Sequence, residues 1–229
     1  MRSNGEPSRR SRPSHWGCWR HPAARRTTGS LRLALRSFLD LLRMRTFRGY
    51  LGILVSSAAL LFSYISTAPF VLQGVFEFSE LEFAATFGAV GLGLLLTSLA
   101  TARLLRRRHP RSVIRSAQLI QLAGVLLLAL VIFVDVGTGW SHPVLLVASL
   151  AVAVVPCGAI GPCCTALAMA ESGQRAGSAS ALLGVGMFLA GGLVSPLSGN
   201  GHPAIIMVAL MLIAVVTGPM LGSLTARRR

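Results

Sequence analysis

The sequence predicts an all-α membrane protein with six transmembrane helices. Three observations support this fold class: the composition, the length of the apolar runs and the placement of arginine. Of the 229 residues, 53% are apolar and only 13% are charged. A soluble domain carries about 25% charged residues, so this chain cannot cover a surface that faces water on all sides. A soluble globular protein is therefore excluded.

Six apolar runs are long enough to cross a bilayer, since a transmembrane helix needs about 20 mainly apolar residues. Proline and glycine separate these runs, as expected for turns. Backbone polar groups must be paired within the membrane, and the runs lack the two-residue alternation of barrel strands, so each run predicts a helix. The predicted spans are Gly49–Thr67, Glu80–Ala102, Val113–Val134, Pro143–Ala170, Gly177–Val194 and Ala204–Leu224.

Arginine supplies the whole basic charge of the chain, and its placement predicts the orientation. The sequence has no lysine, and its formal net charge is +15. After residue 48, arginine occurs only in alternate turns and at the C-terminus, which matches the positive-inside pattern with both termini in the cytoplasm of a multi-pass cell-membrane protein. The turn between the second and third spans is the richest, with Arg103, Arg106, Arg107, Arg108 and Arg111. These side chains either set topology and attract anionic lipid or bias a conformational state.

The first 48 residues divide into two parts. Residues 1–30 are rich in arginine, serine and proline, which predicts a disordered basic leader. Such a leader is either a solvated cytoplasmic tail, a product of a start codon placed upstream of the true coding region, or an arm that contacts anionic lipid or nucleic acid. We expect no nucleic-acid partner. Residues 31–48 place leucine and phenylalanine at helical spacing with arginine between them, which predicts an amphipathic helix on the inner membrane surface.

From about Leu31 to its end, the chain resembles the C-terminal half of a major facilitator superfamily transporter of the bicyclomycin-resistance (Bcr/CflA) type. The stretches that carry the resemblance are residues 45–52, 63–73, 102–115 and 165–184. The resemblance implies two six-helix halves joined by a linker helix, with residues 31–48 as the linker. It also implies export of drug-like small molecules against protons. The proton-coupling acid and much of the drug cavity belong to the other half, so we expect a half transporter from a truncated gene, a split gene or a misplaced start.

Candidate substrate-path residues are uncharged, because every ionisable side chain within the spans lies near a span end. Tyr64 and Ser66 fall near the outer end of the first span, and Gln118 and Gln121 share one face of the third. These side chains either line a path for the drug or form hydrogen bonds between helices. Neither a metal nor a cofactor is expected, since the four cysteines lack the paired spacing of a zinc site.

Small residues and prolines mark where helices are expected to pack closely or bend. Gly88 and Gly91 in the second span and Gly184 in the fifth allow close helix contacts, or a gating hinge. Pro156 and Pro162 predict a kink in the fourth span, because proline removes a backbone hydrogen bond. The expectation is packing and bending rather than catalysis.

Two other functions remain open from the sequence. A six-span intramembrane serine protease is a weak alternative, since the run Gly177–Ser180 resembles a rhomboid-type motif but the late His202 lies outside the last span. The second alternative is an inactive gene fragment. We do not expect an enzyme.

Overall fold

The computed structural model describes residues 31–138, 142–199 and 202–226. Within these ranges the chain consists of helices and the turns that join them, without strands, which confirms the all-α fold class. The predicted basic leader, residues 1–30, lies outside the described residues. The helices are α1 (Leu31–Arg43), α2 (Arg45–Pro69), α3 (Glu80–Leu104), α4 (Pro110–Thr138), α5 (Pro143–Val154), α6 (Cys157–Ser172), α7 (Ala176–Val194) and α8 (Pro203–Ala226).

Helix α2 forms the centre of the bundle. It packs against α6, α7 and α8, and its buried side chains include Leu54 and Leu60. Neighbouring contacts fix the helix directions. Gly52 lies against Leu221 of α8, whereas Gly191 near the end of α7 lies against Phe62. Helix α7 is therefore parallel to α2, and α8 returns antiparallel to it.

The first transmembrane helix is longer than the sequence predicts. The apolar run indicates an end near Thr67, but α2 continues to Pro69 and then into a π-helical turn, Phe70–Val75. In this turn the N–H of Phe76 donates to the Val71 carbonyl at 3.1 Å, which is the wider hydrogen-bond spacing of a π-helix. Proline lacks an N–H, and here the chain continues past Pro69 by widening the helix instead of ending it.

The fourth predicted span is two helices. Helix α5 ends at Val154 and α6 begins at Cys157, so the break lies at Val155 and Pro156, while Pro162 lies inside α6. By length and composition, five helical stretches of the described chain can cross a membrane, and one of them, Pro143–Leu197, has 55 residues. This long stretch contains the fourth and fifth predicted spans. They are separated by the turn Gly173–Arg175, where Gly173 has a φ of 55°.

The arginine-bearing segments of the described chain lie at one end of the bundle. Arg111 at the start of α4 donates from Nε to the hydroxyl of Tyr50 in α2, at 2.8 Å. Arg175 pairs with Asp40 of α1 at 3.2 Å. We call this end the arginine end. Helix α1 docks there through Leu41, which is fully buried, whereas Leu35 and Leu39 are exposed.

Candidate functional site

Tyr64 is the predicted substrate-path residue whose buried side-chain polar atom has no hydrogen-bond partner. Its side chain is 2% exposed, and its ring stacks on Phe87 of α3 with centroids 5.4 Å apart. The hydroxyl of Tyr64 and the Oγ of the adjacent Ser63 are the two buried side-chain polar atoms of the described residues that have no hydrogen-bond partner. A buried hydroxyl without a partner is costly. Both hydroxyls lie inside the core of the bundle rather than on an open surface.

Ser66 lies on a different face of α2. Its Oγ is 2.9 Å from the Oγ of Ser195, in the 3₁₀ turn Ser195–Gly199 that follows α7. The contact joins the ends of α2 and α7 away from the arginine end. Ser66 and Tyr64 thus do not line one common surface.

Gln121 belongs to a polar chain that links three helices. Its Nε2 donates to Sγ of Cys157 at 3.1 Å, and that thiol donates to the carbonyl of Ser57 at 3.7 Å. Gln121 is 3% exposed. These contacts connect α4 and α2 to the start of α6, directly after the break between α5 and α6. They therefore fix the position of the kink relative to α2 and α4. Cys157 was not expected in this role, because the residue spacing gives no sign that a cysteine at a kink faces a glutamine.

Gln118 lies one turn away, between α4 and α8. Its Nε2 is 3.2 Å from the position that a Cβ on Gly218 would occupy, and the Ser56 Oγ is 2.7 Å from the same position. Gln118 and Gln121 therefore lie close together, as their spacing predicts, but among packed helices and apart from Tyr64.

The arginines of the turn between α3 and α4 are all exposed. Arg111 is anchored to Tyr50, a contact that the sequence did not indicate. The one ion pair of the described residues joins Asp40 and Arg175 and involves none of these arginines. Arg103, Arg106, Arg107 and Arg108 thus form a dense positive charge without a carboxylate counterion in the described chain.

The closest approaches of one helix backbone to another occur at glycines other than Gly88, Gly91 and Gly184. A Cβ on Gly88, Gly91 or Gly184 would meet no atom within 4 Å. By contrast, a Cβ on Gly124 would lie 2.4 Å from the Ala153 backbone nitrogen, and one on Gly158 would lie 2.4 Å from the Leu94 carbonyl oxygen. These two positions let α4 approach α5 and let α3 approach α6.

Within the described spans, carboxylates occur near helix ends, at Glu80, Glu82, Asp135 and Glu171. The described residues also contain no group of three potential metal ligands. Ser178 and Ser180 lie at the start of α7, whereas His202 precedes α8 at the opposite end of the bundle. His202 therefore cannot act as the base for either serine.

Comparison with known proteins agrees with this architecture. The family model of the Major Facilitator Superfamily matches residues 6–196. An uncharacterised MFS-type transporter of Bacillus subtilis (strain 168), YdgK, is 32% identical over 203 residues, which cover 86% of this chain and 48% of that protein. The chain spans about half the length of the curated relative it matches. By this match and its bundle of apolar helices, the chain belongs to the major facilitator superfamily of membrane transporters.

Proposed function

We propose that the chain works as one six-helix half of a drug/proton antiporter of the bicyclomycin-resistance type, together with a complementary six-helix half. The observation that carries this proposal is the exposure of α3. Of its 25 residues, only Val90 and Thr101 are buried. A helix at the margin of a complete bundle buries one face against its neighbours, whereas on α3 that face is mostly half-buried and the rest of the helix is exposed.

The glycines of α3 and α7 favour a protein neighbour over lipid alone. Glycine in a helix costs about 1 kcal/mol relative to alanine, and Gly88, Gly91 and Gly184 gain no close contact within the described chain in return. Small residues allow a second helix to approach closely in a membrane. On α7, the large side chains of Val185 and Phe188 are 64% and 76% exposed beside Gly184. A second half packed on α3 and α7 would cover these surfaces.

The distribution of ionisable groups supports a model in which the two halves supply different chemical groups for transport. Proton-coupled transport needs a group that gains and loses a proton within the bilayer, and the carboxylates in the described spans lie near helix ends. The coupling carboxylate would then come from the complementary half. This chain would supply the hydroxyls of Ser63 and Tyr64, which have no partner and are buried in this conformation, so a small drug-like substrate would reach them once the helices around them separate. The arginine end would face the cytoplasm and carry both termini.

Co-expression tests the pairing. The chain is produced alone, and together with the part of the Bacillus subtilis relative to which it does not align. We expect efflux of ethidium from cells only when both are present, and we expect a protonophore to abolish it. Efflux by this chain alone would contradict the proposal, and so would failure of the two polypeptides to purify together.

Substitutions on α3 locate the contact surface. Gly88→Leu and Gly91→Leu add bulk where the described chain has open space, so the bundle itself should fold unchanged while co-purification is lost. Gly137→Leu, at an equally open position near the end of α4, is the matched control and should pair normally. Normal pairing of both α3 variants would show that this face contacts lipid instead.

A further inference from the structure

A groove of about 510 Å³ opens between α3, α4 and the α5–α6 kink. Its walls include Thr97 and Leu104 from α3 and Ile120 from α4, and Val152 and Pro156 form part of its floor. Leu104, Ile120 and Val152 are 44%, 51% and 41% exposed, so the groove opens to the outside of the bundle. A membrane-facing groove of this apolar lining accepts a hydrocarbon chain without leaving polar groups unpaired.

The groove ends beneath the turn that carries the exposed arginines. Leu104 and Val113 line the groove and flank that turn at the ends of α3 and α4. The sequence from Ala84 to Val134 contains no carboxylate but contains Arg103, Arg106, Arg107, Arg108, Arg111 and Arg115. None of these arginines forms an ion pair with another described residue. The open end of the groove therefore has strong positive charge that the described bundle leaves uncompensated.

We propose that this groove binds one anionic phospholipid, with an acyl chain between α3 and α4 and the headgroup phosphate at Arg106, Arg107 and Arg108. Charge complementarity selects this occupant. Basic pockets between transmembrane helices bind anionic headgroups, and an apolar groove below them holds the chain. Residues 1–30 carry the same net charge sign as the turn, so they do not supply the counter-charge that the turn lacks.

Brominated lipids report occupancy directly, because bromine on an acyl chain quenches the fluorescence of a nearby tryptophan. In a background with Trp16, Trp19 and Trp140 changed to Phe, Ile120→Trp places the reporter in the groove. The full chain is reconstituted with dibrominated phosphatidylglycerol or dibrominated phosphatidylcholine. Near a membrane surface each basic residue favours anionic lipid by an amount equivalent to about a fivefold change in affinity. We expect at least this preference for phosphatidylglycerol at the groove reporter.

Val216→Trp on α8 is the matched reporter outside the groove. Val216 is 49% exposed, close to the 51% of Ile120. It also lies at a similar depth, since Gly218 faces Gln118 across α4 and α8. This reporter should show no preference between the two lipids. Equal quenching by both lipids at Ile120→Trp would show ordinary lipid contact and overturn the proposal.

Two sets of variants separate the headgroup contact from the groove. Changing Arg106, Arg107 and Arg108 together to Gln should remove the preference. The same change at Arg43, Arg45 and Arg48, exposed at the same end, should leave it intact. Ala100→Phe fills the groove with every arginine in place and should also remove the preference, with circular dichroism confirming a folded bundle. A preference that survives Ala100→Phe, or that falls equally in both arginine variants, would show diffuse charge attraction and overturn the proposal.

Discussion

At the scale of single residues, the two tyrosines of the chain differ in whether the side-chain hydroxyl has a hydrogen-bond partner. The hydroxyl of Tyr64 is buried without a partner, whereas that of Tyr50 accepts a hydrogen bond from Arg111 at 2.8 Å. Tyr64→Phe removes an unsatisfied group, so we expect the Tm of the purified bundle to stay the same or rise. Tyr50→Phe removes a charge-assisted hydrogen bond and should lower the free energy of unfolding by about 1–3 kcal/mol. Thermal unfolding in detergent measures both changes.

The same substitution also tests the role proposed for Tyr64 in transport. In the assembled transporter, Tyr64→Phe should reduce ethidium efflux while protein level and Tm are maintained. A fall in Tm of Tyr64→Phe as large as that of Tyr50→Phe would show that the Tyr64 hydroxyl has a structural partner. Unchanged efflux would remove Tyr64 from the substrate path.

Two glycines of α6 differ sharply in their surroundings. A Cβ at Gly158 would lie 2.4 Å from the backbone oxygen of Leu94, whereas a Cβ at Gly161 would meet nothing within 4 Å. Gly158→Ala must push α3 away. We therefore expect the free energy of unfolding to fall by about 1–3 kcal/mol, as for an overpacked core. Gly161→Ala should instead raise the free energy of unfolding by about 0.5–1 kcal/mol, because alanine has the better helix propensity. Chemical denaturation of the two variants gives the comparison, and equal stabilities would contradict the packing described for α3 and α6.

The contrast between these glycines shows what residue spacing can predict and what it cannot. The placement of small residues indicates close packing at Gly88, Gly91 and Gly184, yet the closest contacts with a neighbouring helix backbone occur at Gly124 and Gly158. Spacing identifies a face of a helix on which another helix can pack closely. It does not say which neighbour faces it, because that depends on how the helices are arranged in the bundle.

At the scale of elements, the docking of α1 on the arginine end rests chiefly on Leu41, with Phe38 and Leu42 half-buried. Leu41 is fully buried, whereas the Asp40–Arg175 pair is 42% and 46% exposed. Exposed ion pairs contribute about 0–1 kcal/mol, and truncation of a buried leucine to alanine costs about 2–5 kcal/mol. We therefore expect Leu41→Ala to release α1 and Asp40→Asn to leave it docked. Limited trypsin digestion at Arg36 and Arg43 reports release, and faster cleavage in Asp40→Asn would reverse this ranking.

Local sequence signals predicted the beginnings of helices better than their ends. The spacing of Ser79 and Glu82 predicts a capping box, and the structure confirms both of its hydrogen bonds, at 3.3 Å and 2.9 Å. A cap of this kind depends on four consecutive residues, so the sequence contains all of it. The end of the first transmembrane helix at Val75 depends instead on the π-helical turn that follows Pro69. Such a turn is stabilised by the packing of Val71 and Leu72 in the core, which a local pattern does not reveal.

At the scale of the whole molecule, one end of the described bundle is rich in arginine, whereas the charged residues at the other end are the carboxylates Glu77, Glu80, Glu82 and Asp135. The start of α2 and the end of α8 lie side by side, as the contact between Gly52 and Leu221 shows. The turns after α3 and α6 lie at the same end, through Arg111 with Tyr50 and Thr46 with Glu171. This arrangement agrees with the alternation of arginine along the sequence. Basic residues resist translocation, so a bundle with this polarity should have one fixed orientation.

A matched pair of glycines tests this orientation. Gly137 near the end of α4 and Gly177 at the start of α7 both lie in open space and at opposite ends of the bundle. In a background with Cys18, Cys157, Cys163 and Cys164 changed to Ala, Gly137→Cys should react with an impermeant maleimide on intact cells. Gly177→Cys should react only after lysis. Because both substitutions replace glycine with the same side chain, unequal labelling reports the side of the membrane. The reverse pattern would place the arginine end outside the cell.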